Sequence, residues 1–463
     1  MFWVQFKKLT LKKKHIVNGL WLDVTRRSVL LKIRKNNILL LCTGGIVLVF
    51  CLLNMMFGFE NEIFASILLL LLSIEGIVWS KNNYMLTIIM CILAYCNYSV
   101  VFSEYIHIIK DTMFTKYAGT EVATTSIYIL LLFEALLCCM LSFVDNSKQV
   151  CISSTDMEDK TYKGGIVKLF VLASNVILIL ILIFGFTRPS TLGDRGSPST
   201  LYEYAIIIFI ICFYFGNKYK WCKYLTSGIL TLYVLQNFLF GGRITGLQLL
   251  TVVYIMMLEN HWSLKRIFPI VAIGFLGMSV IGSMRGAFLT GNISLKEIIF
   301  TLKERMFTLD TAFSAYHTSM TFVLAEKFTN MPERIYIFIG FLKSIIVGGY
   351  NSVESNVARY TAQYFHHYDG GFLPFFFQFY VGWIGIPFIA GYLSFLLNKM
   401  TKLHIKSSGL GKCICVYIVA TTFRWYIYSP IQITRGIFLL SVCYILVEEI
   451  FKIATRRTAK SVL

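Results

Sequence analysis

Five arginines carry the strongest chemical suggestion in this chain. Arg243 lies in Gly241-Gly242-Arg243-Ile244-Thr245-Gly246 and Arg285 in Gly282-Ser283-Met284-Arg285-Gly286, with Arg359, Arg424 and Arg435 farther on. A guanidinium is a planar fork suited to two-point contact with a phosphate, and flanking glycines let an anionic group approach the backbone. Read as a set, the five predict a shared anion site. Read singly, each is equally a cation reaching toward lipid headgroups. Candidate proton acceptors are His366 and His367, in His366-His367-Tyr368-Asp369-Gly370-Gly371, and Glu354, in Asn351-Ser352-Val353-Glu354-Ser355-Asn356. An imidazole titrates near neutral pH and can take a proton from a hydroxyl, although a solvated loop tip explains the histidines as well. Asp310, Ser314 and His317 share a helical face, better read as a satisfied polar face. Glu75 and Glu134 fall within apolar runs, where an ionisable side chain is a functional candidate by default. Asp156-Met157-Glu158-Asp159 is flanked by Lys160 and Lys163 and reads as a solvated loop. No acidic or histidine cluster has metal-ligand spacing, so neither a metal nor a cofactor is expected.

The elements that position these residues are set by hydropathy. The 463 residues are 57% hydrophobic and only 14% charged, with mean hydropathy +0.69. A soluble domain carries about 25% charged residues, so lipid must solvate much of this chain. Apolar runs of about 20 residues are long enough to cross a hydrocarbon core of ~30 Å, and they lack the alternation of a barrel. The reading is an all-α polytopic membrane protein with about twelve spans: 37–57, 62–79, 84–103, 124–144, 165–187, 201–216, 223–240, 246–258, 267–284, 374–397, 412–429 and 436–451. Lysine and arginine favour the cytoplasmic side of a membrane. Their distribution places both termini inside, with a basic segment at 1–36, a membrane domain at 37–451 and a tail at 452–463. The net charge of +19 therefore reads as topogenic and headgroup-binding, not as a nucleic-acid surface. The first long apolar run begins after residue 36 and predicts no cleaved leader.

Loop 285–373, between spans nine and ten, falls outside. Ser294-Leu295-Lys296-Glu297 reads as a capping box. The recurrence of Leu295, Ile298, Ile299, Leu302, Met306, Leu309, Phe313 and Tyr316 then predicts an amphipathic helix on the membrane or on the other spans. Tyr336–Val347 is apolar but too short to span, and Gly348-Gly349 marks a turn. None of the twelve cysteines falls in an outer loop, so no external disulfide is expected.

A Gly-Gly-Arg opening one span, an Arg closing the next and a long outer loop resemble the Wzy-type oligosaccharide repeat-unit polymerases, the O-antigen polymerase family. The segment Gly370-Gly371-Phe372-Leu373-Pro374 running into Gly382-Trp383-Ile384-Gly385 resembles the family's Gly/Pro-led entry to a span. The resemblance covers roughly 200–450. Gln378 departs from it, standing where many members are expected to have an acid. The resemblance implies a lipid-dependent, GT-C-like glycosyltransferase of a bacterial cytoplasmic membrane. It would polymerise undecaprenyl pyrophosphate-linked repeat units into capsule or O-antigen at the outer face, with inversion. Membrane lipid and a chain-length regulator would be further partners. Arginines would stabilise the departing pyrophosphate and a base would take the acceptor's proton. An O-antigen ligase and a lipid-linked oligosaccharide flippase are the rival readings.

Overall fold

The computed structural model describes residues 35–58, 61–106, 117, 119–144, 164–187, 196–240, 242–258, 296, 299, 311–367, 370–402 and 408–460. Arg285, Asp310 and the expected span 267–284 lie outside them. The described chain is helical apart from a two-strand antiparallel pair. Its helices are α1 (Lys35–Phe57), α2 (Glu62–Ser80), α3 (Tyr84–Val100, continued by a π-helical turn Val101–Tyr105), α4 (Glu121–Leu141) and α5 (Gly164–Phe184). After β1 (Phe186–Thr187) and β2 (Ser197–Pro198) come α6 (Thr200–Glu203), α7 (Ala205–Gly216), α8 (Lys220–Leu239) and α9 (Arg243–Leu258). There follow α10 (Thr311–Glu326), α11 (Met331–Ile346), α12 (Val357–Thr361), α13 (Leu373–Val381), α14 (Gly385–Thr401), α15 (Gly409–Ala420), α16 (Thr422–Ile427) and α17 (Ile431–Lys460).

Six stretches are long and apolar enough to cross a membrane: Asn37–Phe57, Glu62–Ser80, Tyr84–Tyr105, Glu121–Leu141, Gly164–Phe184 and Leu373–Thr401. Three shorter apolar helices, Thr200–Gly216, Arg243–Met257 and Gly409–Ala420, accompany them. The chain is thus a multi-pass, all-α membrane protein. Local chemistry sets the helix starts. Asn61, Asn83, Asn330 and Asn356 each accept a backbone N–H of the first turn that follows, leaving one fewer orphan donor.

Two groups of helices form the bundle. In the first, α1, α2, α3 and α4 pack together; in the second, α5, α7, α8 and α9 pack with α15 and α17. Between them α10 lies on α3, α4 and α13, while α14 lies on α4. The six-residue α16 touches α3, α9, α10, α13 and α17, and so meets both groups. Short turns make successive helices antiparallel, which sorts the connections between two ends. The upper end holds the α1–α2 and α8–α9 turns. At the lower end Gly409 lets its backbone pass the Tyr214 and Tyr444 hydroxyls, within 2.3 Å of where a Cβ would stand.

Differences from the periodicity have physical causes. Within the described residues the helix expected through Tyr316, on the membrane or on the other spans, begins at Thr311, runs to Glu326, packs on other helices and is buried on nearly every side. In sequence Ser314 and His317, with Asp310, read as a satisfied polar face. Ser319 and Thr321 donate to the carbonyls of Ala315 and Thr318 on their own helix, at 2.9 and 2.6 Å, which lets them be buried. The tenth span is broken at Gly382, whose φ of +70° suits glycine. The eleventh is broken at Thr421 and the sixth at Tyr204.

Candidate functional site

Three broken or short segments meet at the upper end. Glu203 closes α6, Arg243 and Thr245 open α9, and Arg424 lies in α16. The Arg424 guanidinium donates through Nη2 to the Glu203 carboxylate and through Nη1, at 3.4 Å, to Thr245 Oγ1. Tyr204, the residue after Glu203, lies under the Arg435 guanidinium, 5.7 Å from ring centroid to Cζ. Arg435 also faces the turn after α11, where a Cβ on Gly348 would stand 3.3 Å from both Nη atoms. At φ +93° that turn favours glycine, and the wide backbone leaves the guanidinium its place. Both guanidinium groups act electrostatically on the Tyr204 phenol. The geometry thus joins Arg424 and Arg435 directly, and places Arg243 two residues before Thr245.

The charge balance of this cluster is uneven. Arg424 is paired with Glu203. Among the described residues no carboxylate pairs with Arg243 or Arg435, and the buried Nε of Arg435 has no hydrogen-bond partner. Two half-buried cations beside a neutralised third make a site for an anion with several oxygens.

The glycines flanking Arg243 serve a different end from the one their position suggests. A Cβ on Gly242 would stand 2.4 Å from Asn237 Oδ1, and one on Gly246 2.4 Å from the Phe238 ring. The chain itself fills that space, so these glycines close the α8–α9 turn and do not open the backbone to a ligand. Asn237 holds the turn by donating to the Tyr202 hydroxyl and the Tyr233 carbonyl, each at 2.8 Å. Gly436 has the same close-packing role beside Arg435. A Cβ there would fall 1.8 Å from the Tyr417 hydroxyl, which donates to the Gln432 carbonyl at 2.8 Å.

The other sequence candidates lie on 348–371. His366 and Glu354 are exposed, and His367 is half-buried, with Nε2 2.9 Å from Thr361 Oγ1. This segment reaches the cluster through its end, where the Gly371 N–H donates to the Ile427 carbonyl at 3.0 Å, three residues beyond Arg424. Arg359 is exposed on α12, which packs on α10; the contacts that build the cluster do not include it. His317 is buried between Tyr117 and Phe313, with ring centroids 4.9 and 6.3 Å away.

Sequence reasoning passed over three groups. Glu203 is a single acid in a helix start and offers no spacing signal. Arg334, in α11, pairs with Glu326 at 2.9 Å and donates through Nε to the Phe379 carbonyl at 2.5 Å. The same Glu326 accepts from Gln378 Nε2. Gln378 therefore answers a carboxylate, which explains an amide at a position where an acid is expected. Close by, the Tyr360 hydroxyl donates to Glu333 at 2.9 Å; burial foremost, then Glu333, pushes this phenol up to about 12, so it stays a donor. The third is Glu104, buried in the π-turn of α3, with neither carboxyl oxygen hydrogen-bonded and Glu62 close enough to repel it. Single-turn π-bulges are frequent at functional sites. Among the described residues no group of three His, Cys, Asp or Glu could hold a metal ion.

No family model matches the chain, and neither a curated protein nor a solved structure gives a significant match.

Proposed function

We propose that this chain is a lipid-dependent glycosyltransferase that polymerises undecaprenyl pyrophosphate-linked repeat units into a surface polysaccharide. It resembles the Wzy-type polymerases in the motifs described above. The observation that carries the reading is the upper-end cluster, in which no carboxylate among the described residues pairs with Arg243 or Arg435 beside the anchored Arg424. A pyrophosphate supplies several oxygens and gains negative charge as its bond to the sugar breaks. Preorganised guanidinium groups stabilise that charge without reorganising. Arg285 and Arg359 complete the proposed set of pyrophosphate ligands. On this reading the chain crosses a bacterial cytoplasmic membrane twelve times with both termini inside. The upper end and loop 285–373 face outward, and capsule or O-antigen is the product. A chain-length regulator is a fitting partner. Direct displacement inverts the anomeric carbon.

The test uses purified protein in liposomes with a lipid pyrophosphate-linked repeat unit. Arg243→Lys and Arg435→Lys should fail nearly as badly as the alanine variants, because an ammonium cannot make the paired contact. Wild-type polymer length and rate in both lysine variants would make these arginines headgroup anchors. The buried Glu104 and Glu134 and the half-buried Glu75 in α2–α4 favour a second reading, a lipid-linked oligosaccharide flippase, since carboxyls within spans mark transport pathways. Membrane extracts of a deletion strain separate the readings. Loss of a polymerase leaves single repeat units on their normal acceptor. Loss of a flippase leaves lipid-linked units inside, and loss of an O-antigen ligase leaves long chains on the lipid.

A further inference from the structure

We propose that Glu203 is the base that takes the acceptor's hydroxyl proton, a role that rests on the polymerase reading. Of the described carboxylates, Glu203 alone pairs with an arginine of the cluster. Its Oε1 is fixed by Arg424, which Thr245 holds in turn. Among the described residues nothing bonds to its Oε2, and the side chain is 22% exposed, so a hydroxyl can reach it. The next residue, Tyr204, lies under Arg435, which places the carboxylate beside an unneutralised cation of the anion site. His367, by contrast, engages Thr361, while His366 and Glu354 are exposed on a segment that meets the cluster only at its end.

A carboxylate paired with arginine is a weak base, and this is the physical point of the arrangement. An arriving diphosphate brings two or more negative charges among the same arginines. It competes for Arg424 and so loosens the contact that occupies Glu203 Oε1. Donor binding therefore arms the base. In the transfer step the acceptor O–H proton passes to Glu203 Oε2. The hydroxyl oxygen's electron pair forms the bond to the anomeric carbon. The bond from that carbon to the phosphate oxygen breaks, and its pair stays on the leaving pyrophosphate. No metal, oxidant or further reactant is required.

The experiment compares wild type, Glu203→Gln, Glu203→Asp and Arg424→Ala in liposomes with lipid pyrophosphate-linked repeat unit. It reads donor binding, turnover and the pH profile of turnover. Glu203→Gln should bind donor within about threefold of wild type. It should lose about 100-fold or more in turnover, together with the acid limb of the pH profile. Glu203→Asp should keep that limb at reduced turnover, which also guards against a folding defect in the Gln variant. Glu203→Gln turning over at wild-type rate overturns the proposal. So does a Gln variant that loses binding in step with Arg424→Ala, because Glu203 then only anchors Arg424. If wild type neither binds nor polymerises the lipid pyrophosphate substrate, the polymerase reading fails and the base falls with it. If wild type polymerises and the Gln variant does too, the base alone falls.

Discussion

At the scale of single residues, two acids, the half-buried Glu326 and the buried Glu104, have opposite fortunes. Glu326 is satisfied by Arg334 and Gln378. Removing one partner of such a pair strands the other in low dielectric, at a cost of about 3–5 kcal/mol. Arg334→Leu should therefore lower the thermal midpoint in detergent markedly, and an unchanged midpoint would show the pair to be dispensable. Glu104 has no hydrogen bond at either oxygen. Replacing it by Leu removes an unmet carboxyl and should stabilise by about 1 kcal/mol or more. A destabilised Glu104→Leu would mean that the carboxyl is held by a ligand in the native membrane. The arginines were legible in the sequence because guanidinium groups are conspicuous in apolar surroundings. Glu203 was not, since a lone acid near a helix start has an ordinary capping explanation. Gln378 looked like a lost acid because its partner Glu326 lies fifty-two residues away, a separation that no local pattern records.

At the scale of elements, hydropathy located the apolar helices well and their breaks poorly. The starts at Glu62, Tyr84, Gly164 and Leu373 fall within a residue or so of the expected spans. The breaks at Tyr204, Thr421 and Gly382 interrupt apolar runs without changing their composition. In α10, hydroxyls bonded to their own helix are buried at little cost. Close packing at glycine sets the start of α17. Gly436→Ala would push a methyl into the Tyr417 hydroxyl, 1.8 Å away. Tyr417 is tied to Gln432 and cannot easily yield. The variant should insert normally yet displace Arg435, weakening donor affinity several-fold, about 1 kcal/mol by the usual conversion. Donor titration checks this, and unchanged affinity would show that α17 absorbs the methyl.

At the scale of the whole molecule, the acids of the apolar helices α2–α4 and the cluster's unpaired arginines lie in different helix groups among the described residues. Glu62, Glu75, Glu104 and Glu134 belong to α2–α4, whereas Arg243 and Arg435 belong to α9 and α17. Orientation is tested by single cysteines in a cysteine-free background, with an impermeant reagent on spheroplasts. Asn330→Cys should label and Thr155→Cys should not; the reverse pattern would turn the arginine cluster toward the cytoplasm. Three of the helices that lead to the cluster are short, unlike α17, which carries Arg435 and has 30 residues: α7 and α15 have 12 residues each and α9 has 16. At 1.5 Å per residue these are about 18 and 24 Å long, well under a ~30 Å hydrocarbon core. Such hydrophobic mismatch thins the surrounding bilayer or sinks the polar ends below the headgroup plane. A lipid head would then slide in laterally from its own leaflet, and would meet the arginines below the water that screens surface charge. Turnover should accordingly fall as acyl chains are lengthened, while added salt changes it little. On the polymerase reading, the thickness of the surrounding membrane thereby becomes a determinant of how well the protein would capture a lipid-linked donor.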